Sequence, residues 1–179
     1  RIMENNILIS YFTTPFGELV LGSFKGELCL CDWRYRKMRE SVDNRIKTGL
    51  KAEFKQEGSP VVENTKQQLN EYFDRKRISF HIPLKLVGTQ FQKQVWNELQ
   101  QIPHGETDSY LGLSKKLGNV KAIRAVATAN GANALSILIP CHRIIGSDGS
   151  LVGYAGGLSA KEKLLDLEGV LINNQTKLF

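Results

Sequence analysis

Residues 110–131 read Tyr-Leu-Gly-Leu-Ser-Lys-Lys-Leu-Gly-Asn-Val-Lys-Ala-Ile-Arg-Ala-Val-Ala-Thr-Ala-Asn-Gly, and this stretch decides the fold of the second half of the chain. Its pattern predicts a short helix over 110–117, a turn at Gly118-Asn119 and a second helix over 121–130. Two short helices joined by a tight, glycine-containing turn form the helix-turn-helix pattern. We therefore expect a mainly helical second half.

Helices are also predicted on either side of this pair. Thr89 is placed to cap a helix that runs over 89–101. Ser159-Ala160-Lys161-Glu162 has the spacing of a capping box and predicts a last helix over 159–168, which Gly169 ends.

The first half of the chain carries strand patterns. The predicted elements, in chain order, are strands within 7–12 and 18–33, a helix near 36–47, a helix over 61–77 and a short strand at 78–82. Phe16-Gly17 reads as the turn of an antiparallel meander, whereas most of 34–58 is polar and shows little periodicity. Residues 86–88 resemble a linker.

These elements predict an α/β protein with two domains. The first, 1–87, is a small N-terminal α/β domain with an antiparallel sheet. The second, 88–172, is a mainly helical C-terminal domain of the winged helix-turn-helix type, and we expect a loose tail at 173–179.

Composition narrows the classes of protein that fit. Hydrophobic residues make up 41% and charged residues 23%, as in ordinary globular chains. No apolar run approaches the roughly 18 residues that a membrane span needs, and the N-terminus lacks a signal-peptide layout. Three cysteines argue against a disulfide framework and for a reducing compartment, the cytoplasm or, in a eukaryote, the nucleus. Cys29-Leu30-Cys31 favours packing over metal binding because no second ligand pair follows.

The net charge of +6 is unevenly distributed along the chain. Between Ser109 and Ser147 there is no Asp or Glu, and the basic residues are Lys115, Lys116, Lys121, Arg124 and Arg143. A helical stretch without acids suits a surface that faces phosphates, although a chance solvated face would look the same.

The second helix of the pair has unusually small side chains, with alanine at 122, 125, 127 and 129. A thin helix can approach its partner closely, and Arg124 is its one long polar probe. This favours sequence-independent contact with the minor groove of nucleic acid over base reading in the major groove. A tight protein core is the alternative.

Ile137-Leu138-Ile139-Pro140-Cys141-His142-Arg143 delivers a thiol followed by an imidazole and a guanidinium. Sulfur is a strong nucleophile only as the thiolate, which nearby basic groups favour. Taken alone, however, Cys-His is more typical of a small buried cysteine. Glu168 ends a helix, where a carboxylate opposes the macrodipole, so it is a candidate to orient His142, although a solvated acid would fit there too.

Together, these motifs resemble the O6-alkylguanine-DNA alkyltransferases. The matching segments are Ile139 to Arg143; Thr89-Gln90-Phe91-Gln92 with Val95-Trp96; Ser109-Tyr110; Arg124-Ala125-Val126 with Ala129-Asn130-Gly131 and Asn133; Gly153-Tyr154-Ala155-Gly156-Gly157-Leu158; and Lys161-Glu162 with Glu168-Gly169. The resemblance is dense over 88–169. In the first half it covers only the generic turn Thr14-Pro15-Phe16-Gly17, and it implies a ribonuclease-H-like domain there.

The resemblance implies a chemical role for five residues. Cys141 would take the alkyl group from O6 of guanine as a permanent thioether. His142 would act as the base through a water molecule, and Glu168 would orient it. Asn133 would stabilise a hinge beside the active-site segment. Tyr110 would contact the target nucleotide and supply a proton as guanine leaves.

It also implies how DNA is held. Arg124 would fill the space that the flipped nucleotide leaves, and residues 152–157 would wall the base pocket. The residues expected to contact DNA or the base are Tyr110, Arg124, Ala125, Ala129, Gly131, Arg143, Val152, Gly153, Tyr154, Ala155 and Lys161. The implied partner is double-stranded DNA with O6-alkylguanine, bound through the minor groove by a monomer without regard to sequence. No membrane, metal or cofactor is expected, and O4 of thymine is a possible second substrate.

Two other interpretations fit parts of the pattern. A Cys-His hydrolase would need an oxyanion hole and repeated turnover, and a lesion-binding or transcriptional module would leave Cys141 inert. One local feature departs from the family: Tyr110-Leu111-Gly112-Leu113 replaces the usual Tyr-Gly-x-Leu order, and Gly112 is expected to soften the first helix.

Overall fold

A four-stranded sheet organises the first half of the chain. Its strands are β1 (Asn6–Thr14), β2 (Gly17–Phe24), β3 (Glu27–Trp33) and β4 (Glu53–Gln56), in the order β3-β2-β1-β4. The antiparallel meander of β1 to β3 is confirmed, but the sheet is mixed because β4 pairs in parallel with β1. Strand β4 was not predicted, because it has four residues and only one apolar side chain.

The computed structural model describes residues 5–170, so the tail predicted at 173–179 lies outside the described part. Contacts divide the chain into two compact units, with the division between Gly88 and Thr89. Within 5–170, no helix has the length and apolar character needed to cross a membrane.

The core of the first unit lies against the middle strands. Residues 19–23 of β2 and 28–33 of β3 are buried at every position. Because successive side chains of a strand point to opposite faces, both faces of the sheet are covered there. This explains why residues 18–33 lack the alternation of a half-exposed strand.

Two helices complete this unit. Helix α1 (Arg39–Leu50) corresponds to the helix predicted near 36–47 and lies three residues further along the chain. Helix α2 (Pro60–Phe73) ends four residues before the predicted residue 77. Ser59 caps α2 by accepting from the backbone N–H of Val62 at 3.4 Å, and proline stands at the first helical position.

The strand predicted at 78–82 is wrong. Gln68 of α2 binds the backbone of His81 twice, accepting from its N–H at 2.9 Å and donating to its carbonyl at 3.3 Å. Arg77 donates to the carbonyl of Ser79 at 2.9 Å. Side chains thus form hydrogen bonds with the backbone N–H and C=O groups that a strand would pair with its neighbour. This segment pairs with the sheet only through a bridge between Leu84 and Leu28.

The second unit is mainly helical, as predicted. Its helices are α3 (Gln90–Leu99), α4 (Tyr110–Lys116), α5 (Ile123–Gly131) and α6 (Leu158–Leu167). A 3₁₀ turn, Val120–Ala122, precedes α5 in the helix-turn-helix pair. Thr89 caps α3 in a capping box with Gln92, whose amide accepts from the Thr89 N–H at 2.9 Å. Between 89 and 170, the described backbone forms isolated bridges but no named strand.

The start of α6 differs from the prediction. The helix begins at Leu158, Gly157 is its N-cap residue with φ 90°, and no side chain caps it. The capping box predicted at 159–162 is therefore wrong, because those positions already lie inside the first turns. The predicted stop is confirmed: Gly169 has φ 80° and donates to the carbonyl of Asp166 at 3.0 Å.

Gly112 in α4 accommodates a close approach by Asp108. The Asp108 carboxylate accepts from the Ser109 N–H at 2.8 Å and pairs with Lys116 at 2.8 Å. A methyl group at position 112 would overlap this carboxylate. Glycine therefore leaves room for an anchored side chain here, besides softening the helix.

Gly112→Ala is expected to lower the free energy of unfolding by about 1 kcal/mol, because the clash displaces Asp108 from its partners and outweighs the helix-propensity gain. In an Asp108→Ala background the same change should stabilise by about 0.5–1 kcal/mol. Urea unfolding of the four proteins measures both values. An equal effect of Gly112→Ala in the two backgrounds would contradict the close approach.

Candidate active site

The segment that carries Cys141 turns sharply instead of continuing as a strand. Pro140 has φ −80° and ψ 62°, and the Cys141 N–H donates to the Ile139 carbonyl at 2.8 Å. Cys141–Arg143 then forms a 3₁₀ turn. Cys141 and His142 therefore lie on a tight turn and not on an extended strand.

Asn133 holds this segment from the end of α5. Its side chain is buried; it donates to the carbonyl of Ile139 at 2.8 Å and accepts from the N–H of Leu135 at 2.9 Å. Between these anchors, Ile137 has φ 73°, a conformation that costs a β-branched residue about 1–3 kcal/mol. The asparagine thus clamps a strained turn directly before Cys141.

A buried network lies behind the nucleophile candidate. Glu168 follows α6, and its Oε2 lies 2.7 Å from Nε2 of His142. Arg143 donates to the same carboxylate through Nε at 2.8 Å and Nη2 at 3.1 Å. Its Nη1 donates to the Ile102 carbonyl at 2.6 Å. The structure thus brings His142 and Glu168 together, as the sequence analysis required.

Electrostatics assign a protonation state to each member of this network. Burial alone would raise the pKa of Glu168, but hydrogen bonds from His142 and Arg143 hold it well below its usual range. Burial lowers the pKa of His142, against the opposing effect of Glu168. We therefore treat Glu168 as ionised with Arg143 as its counter-ion, and His142 as neutral.

The neutral imidazole leaves one nitrogen available. Because a carboxylate only accepts, Nε2 of His142 carries the proton that Glu168 receives, and Nδ1 is the basic nitrogen. Nδ1 is buried and has no hydrogen-bond partner among residues 5–170. The ring of Tyr154 lies edge-on to His142, 6.4 Å between centroids. This arrangement suits a base that acts through a water molecule.

Cys141 has a phenol and an amine among its ionisable neighbours. It is 4% exposed and interacts electrostatically with Tyr110 and Lys161. Burial lowers the pKa of Lys161 to about 8 while Cys141 opposes that shift. By contrast, burial raises the pKa of Cys29 to about 12 and also raises that of Cys31. Those two thiols stay protonated and unreactive.

The residues of helix α5 that are expected to contact DNA are partly exposed and partly buried. Arg124, Ala125 and Gly131 are exposed, as a DNA-contacting surface requires. Ala129 is not: it is 2% exposed, and its carbonyl accepts from the indole N–H of Trp96 at 2.8 Å. Position 129 therefore packs against α3, and its contact with DNA stays a prediction.

Two cations expected to contact DNA are also buried. Arg143 is the counter-ion of Glu168, so its guanidinium is fully engaged inside the protein. Lys161 donates to the carbonyls of Val152 at 3.0 Å and Gly153 at 3.5 Å. Both side chains bind groups inside the protein and are at most 7% exposed, so their contact with DNA stays a prediction. The positive charge of both residues led to the prediction that they contact DNA. The sequence does not show that a basic side chain binds a buried carbonyl or carboxylate.

The remaining pocket residues and one further residue, Asn130, complete the site. Val152, Tyr154 and Ala155 are half-buried and Gly153 is exposed. The sequence analysis did not assign Asn130 a role; its signal was an amide on the buried face of a helix of small residues. Among residues 5–170, no group of three or more His, Cys, Asp or Glu side chains could hold a metal ion.

Comparison with known proteins identifies the family. The model of the DNA-binding domain of 6-O-methylguanine DNA methyltransferase matches residues 90–170. A methylated-DNA–protein-cysteine methyltransferase of Methanosarcina acetivorans is 42% identical over 159 residues, 88% of this chain and 96% of its own. The crystal structure of Mycobacterium tuberculosis O6-methylguanine methyltransferase has a TM-score of 0.77 at 33% identity, covering 97% of this chain and 99% of its own. Mycobacterium tuberculosis OGT in complex with DNA has a TM-score of 0.76 at 33% identity, covering 91% and 92%. The chain therefore belongs to the methylated-DNA–protein-cysteine methyltransferase family.

Proposed function

We propose that this protein repairs DNA by moving an alkyl group from O6 of guanine to Sγ of Cys141, once per molecule. Membership of the methyltransferase family supplies the reaction class. The observation that carries the assignment to Cys141 is its place in front of the buried His142–Glu168 pair, beside Tyr110 and Lys161. Neither a hydrolase nor an inert lesion binder accounts for this family membership together with a retained thiol.

Residues of the site can accept and supply the protons that the reaction moves. A water molecule takes the Cys141 proton and passes one to Nδ1 of His142, which becomes the imidazolium that Glu168 stabilises. The thiolate attacks the alkyl carbon, a C–S bond forms, and the C–O bond to guanine breaks. Its electron pair remains on the base, which takes a proton from Tyr110. A thioether is a poor leaving group, so the protein acts once. An alkyl group on O4 of thymine offers the same bond.

DNA is the partner, and we infer that α5 enters its minor groove. The exposed Arg124 and Ala125 belong to the acid-free stretch, and small side chains permit close approach. O6 lies inside the duplex, so the nucleotide must leave the stack, and Arg124 takes its place. Because the damage arises in any sequence, phosphate contacts by a monomer suffice. None of the three cysteines forms a disulfide, which fits the reducing cytoplasm, or the nucleus of a eukaryote.

Incubation with duplex DNA that contains O6-methylguanine should add one methyl group to the intact protein, as measured by mass spectrometry. Cys141→Ala should abolish the gain because it removes the acceptor. Cys29→Ala is the matched control and should gain one methyl group, since burial keeps that thiol protonated. A wild-type mass that stays unchanged would refute the proposed function, and catalytic release of the methyl group would favour a hydrolase.

Glu168→Gln should slow methyl transfer by at least about tenfold, because His142 loses the charge that stabilises its protonated form. Affinity for DNA should not change, since Glu168 is buried away from solvent. Single-turnover kinetics and a fluorescence binding titration separate the two quantities, and thermal melting shows that the variant is folded. Asp166→Asn, exposed on the same helix, is the control. Wild-type kinetics in Glu168→Gln would remove Glu168 from the relay.

Arg124→Ala should slow transfer from duplex DNA roughly tenfold, because no long side chain then fills the space that the flipped nucleotide leaves in the base stack. Transfer from free O6-benzylguanine, which needs no flipping, should keep its wild-type rate. Lys121→Ala provides the comparison. It should weaken DNA binding and reduce by about 1 the slope of the logarithm of the binding constant against the logarithm of salt concentration, without changing the transfer rate at saturating DNA. Equal losses of Arg124→Ala on both substrates would refute the flipping role.

A further inference from the structure

Arg143 is a buried charge that the proposed proton relay does not use. It is 7% exposed, and three of its nitrogens donate to groups inside the protein. Nε and Nη2 bind the Glu168 carboxylate at 2.8 and 3.1 Å, and Nη1 binds the Ile102 carbonyl at 2.6 Å. A planar guanidinium bound on two sides in this way keeps its charge at a fixed distance from the carboxylate.

Glu168 therefore has two different partners. Its Oε2 accepts from Arg143 and also lies 2.7 Å from Nε2 of His142, whose side chain is fully buried. One carboxylate can neutralise only one positive charge. Because a guanidinium does not release its proton in proteins, Arg143 is the permanent counter-ion, and a second charge on the imidazole would be buried without compensation.

The other titratable groups that face His142 within residues 5–170 supply no negative charge in the resting protein. Lys161, on α6, is a second cation, and it binds two backbone carbonyls. Tyr154, on the loop before α6, lies with its ring edge-on to the imidazole. Cys141, on the same turn, is uncharged while its thiol keeps its proton. Apart from Glu168, the surroundings of the imidazole thus oppose a positive charge on it.

A base must be unprotonated before it can accept a proton. We propose that Arg143 is a positioning residue for the transfer reaction: its fixed charge on Glu168 keeps His142 uncharged until the thiol gives up its proton. Without this guanidinium, the carboxylate and the imidazole would form an ion pair in the resting protein, and Nδ1 would already carry a proton. This role rests on the proposed function.

The charges of the network cancel before and after the proton moves. In the resting protein, the Glu168 carboxylate and the Arg143 guanidinium cancel, and the thiol and the imidazole are neutral. When a proton passes through water from Sγ of Cys141 to Nδ1 of His142, the thiolate and the imidazolium cancel each other. After the thiolate has attacked the alkyl carbon, the imidazolium proton returns through solvent to the phenolate of Tyr110. A buried site favours steps that create no uncompensated charge.

The charge of His142 is a readout that a purely structural role of Arg143 would not change. Nitrogen-15 NMR of the histidine side chains measures it in the free protein, and His142→Ala identifies its signals among the three histidines. Wild-type His142 should still be neutral at pH 6.5, where an ordinary histidine is half protonated. In Arg143→Met it should be protonated at pH 7, because Glu168 has then lost its other cation. Arg143→Lys keeps a positive charge and should hold the imidazole neutral.

The single-turnover rate of methyl transfer from duplex O6-methylguanine provides the second readout. Arg143→Met should be roughly tenfold slower or more at pH 7, because its base is already protonated. Its rate relative to the wild type should rise by up to about tenfold per pH unit as the pH increases toward the raised pKa of His142. Arg36→Met is the matched control. It removes a buried arginine that lies 3.0 Å from Asp32, and it should lower the melting temperature without changing either readout.

Three results would overturn the inference: a His142 that is protonated at pH 7 in the wild type or in Arg143→Lys, an unchanged titration of His142 in Arg143→Met, or a rate ratio that does not vary with pH. If Arg143→Met does not fold, Arg143→Gln replaces it with the same expectations, since its amide can still donate to Glu168. Failure of the proposed function is distinguishable, because the wild type would then transfer no methyl group, whereas the NMR titration needs no DNA.

Discussion

The buried carboxylate of Glu168 is the interaction on which the site depends. An ionised group that is 5% exposed is stable only if opposite charge and hydrogen-bond donors surround it. Two adjacent residues of one 3₁₀ turn, His142 and Arg143, provide these donors. Satisfying Glu168 therefore docks the end of α6 onto that turn and sets where Cys141 lies. Arg143 carries the compensating charge, which lets His142 remain neutral, as its proposed role of base requires.

The rest of the site is preorganised by side chains that bind backbone. Asn133 grips the strained turn around Ile137 from one side. Lys161 holds the carbonyls of Val152 and Gly153 from the other. Irregular segments pack precisely only when their polar groups are satisfied in this way, since no ladder aligns them. The sulfur of Cys141 thus sits on a loop whose neighbouring backbone groups are bound by buried side chains.

Local patterns made much of the fold predictable, whereas tertiary partners did not. The Thr89 cap and the helix pair could be predicted because their sequence signals lie within one or two helical turns. The strand at 78–82 failed because Gln68, distant in sequence, takes its backbone groups. Family motifs located Cys141, His142 and Glu168, and the structure joined the last two. The burial of Arg143 and Lys161 could not be predicted, because the sequence does not show which carbonyl or carboxylate a basic side chain binds.

The contrast between Cys141 and the other two thiols has a further consequence. Burial keeps Cys29 and Cys31 protonated at any cellular pH, so alkylation is recorded at a single sulfur. With Cys141 as the proposed acceptor, each molecule reacts once, and the number of unmodified molecules sets how many further lesions they can repair. That number rises again only when new protein is synthesised.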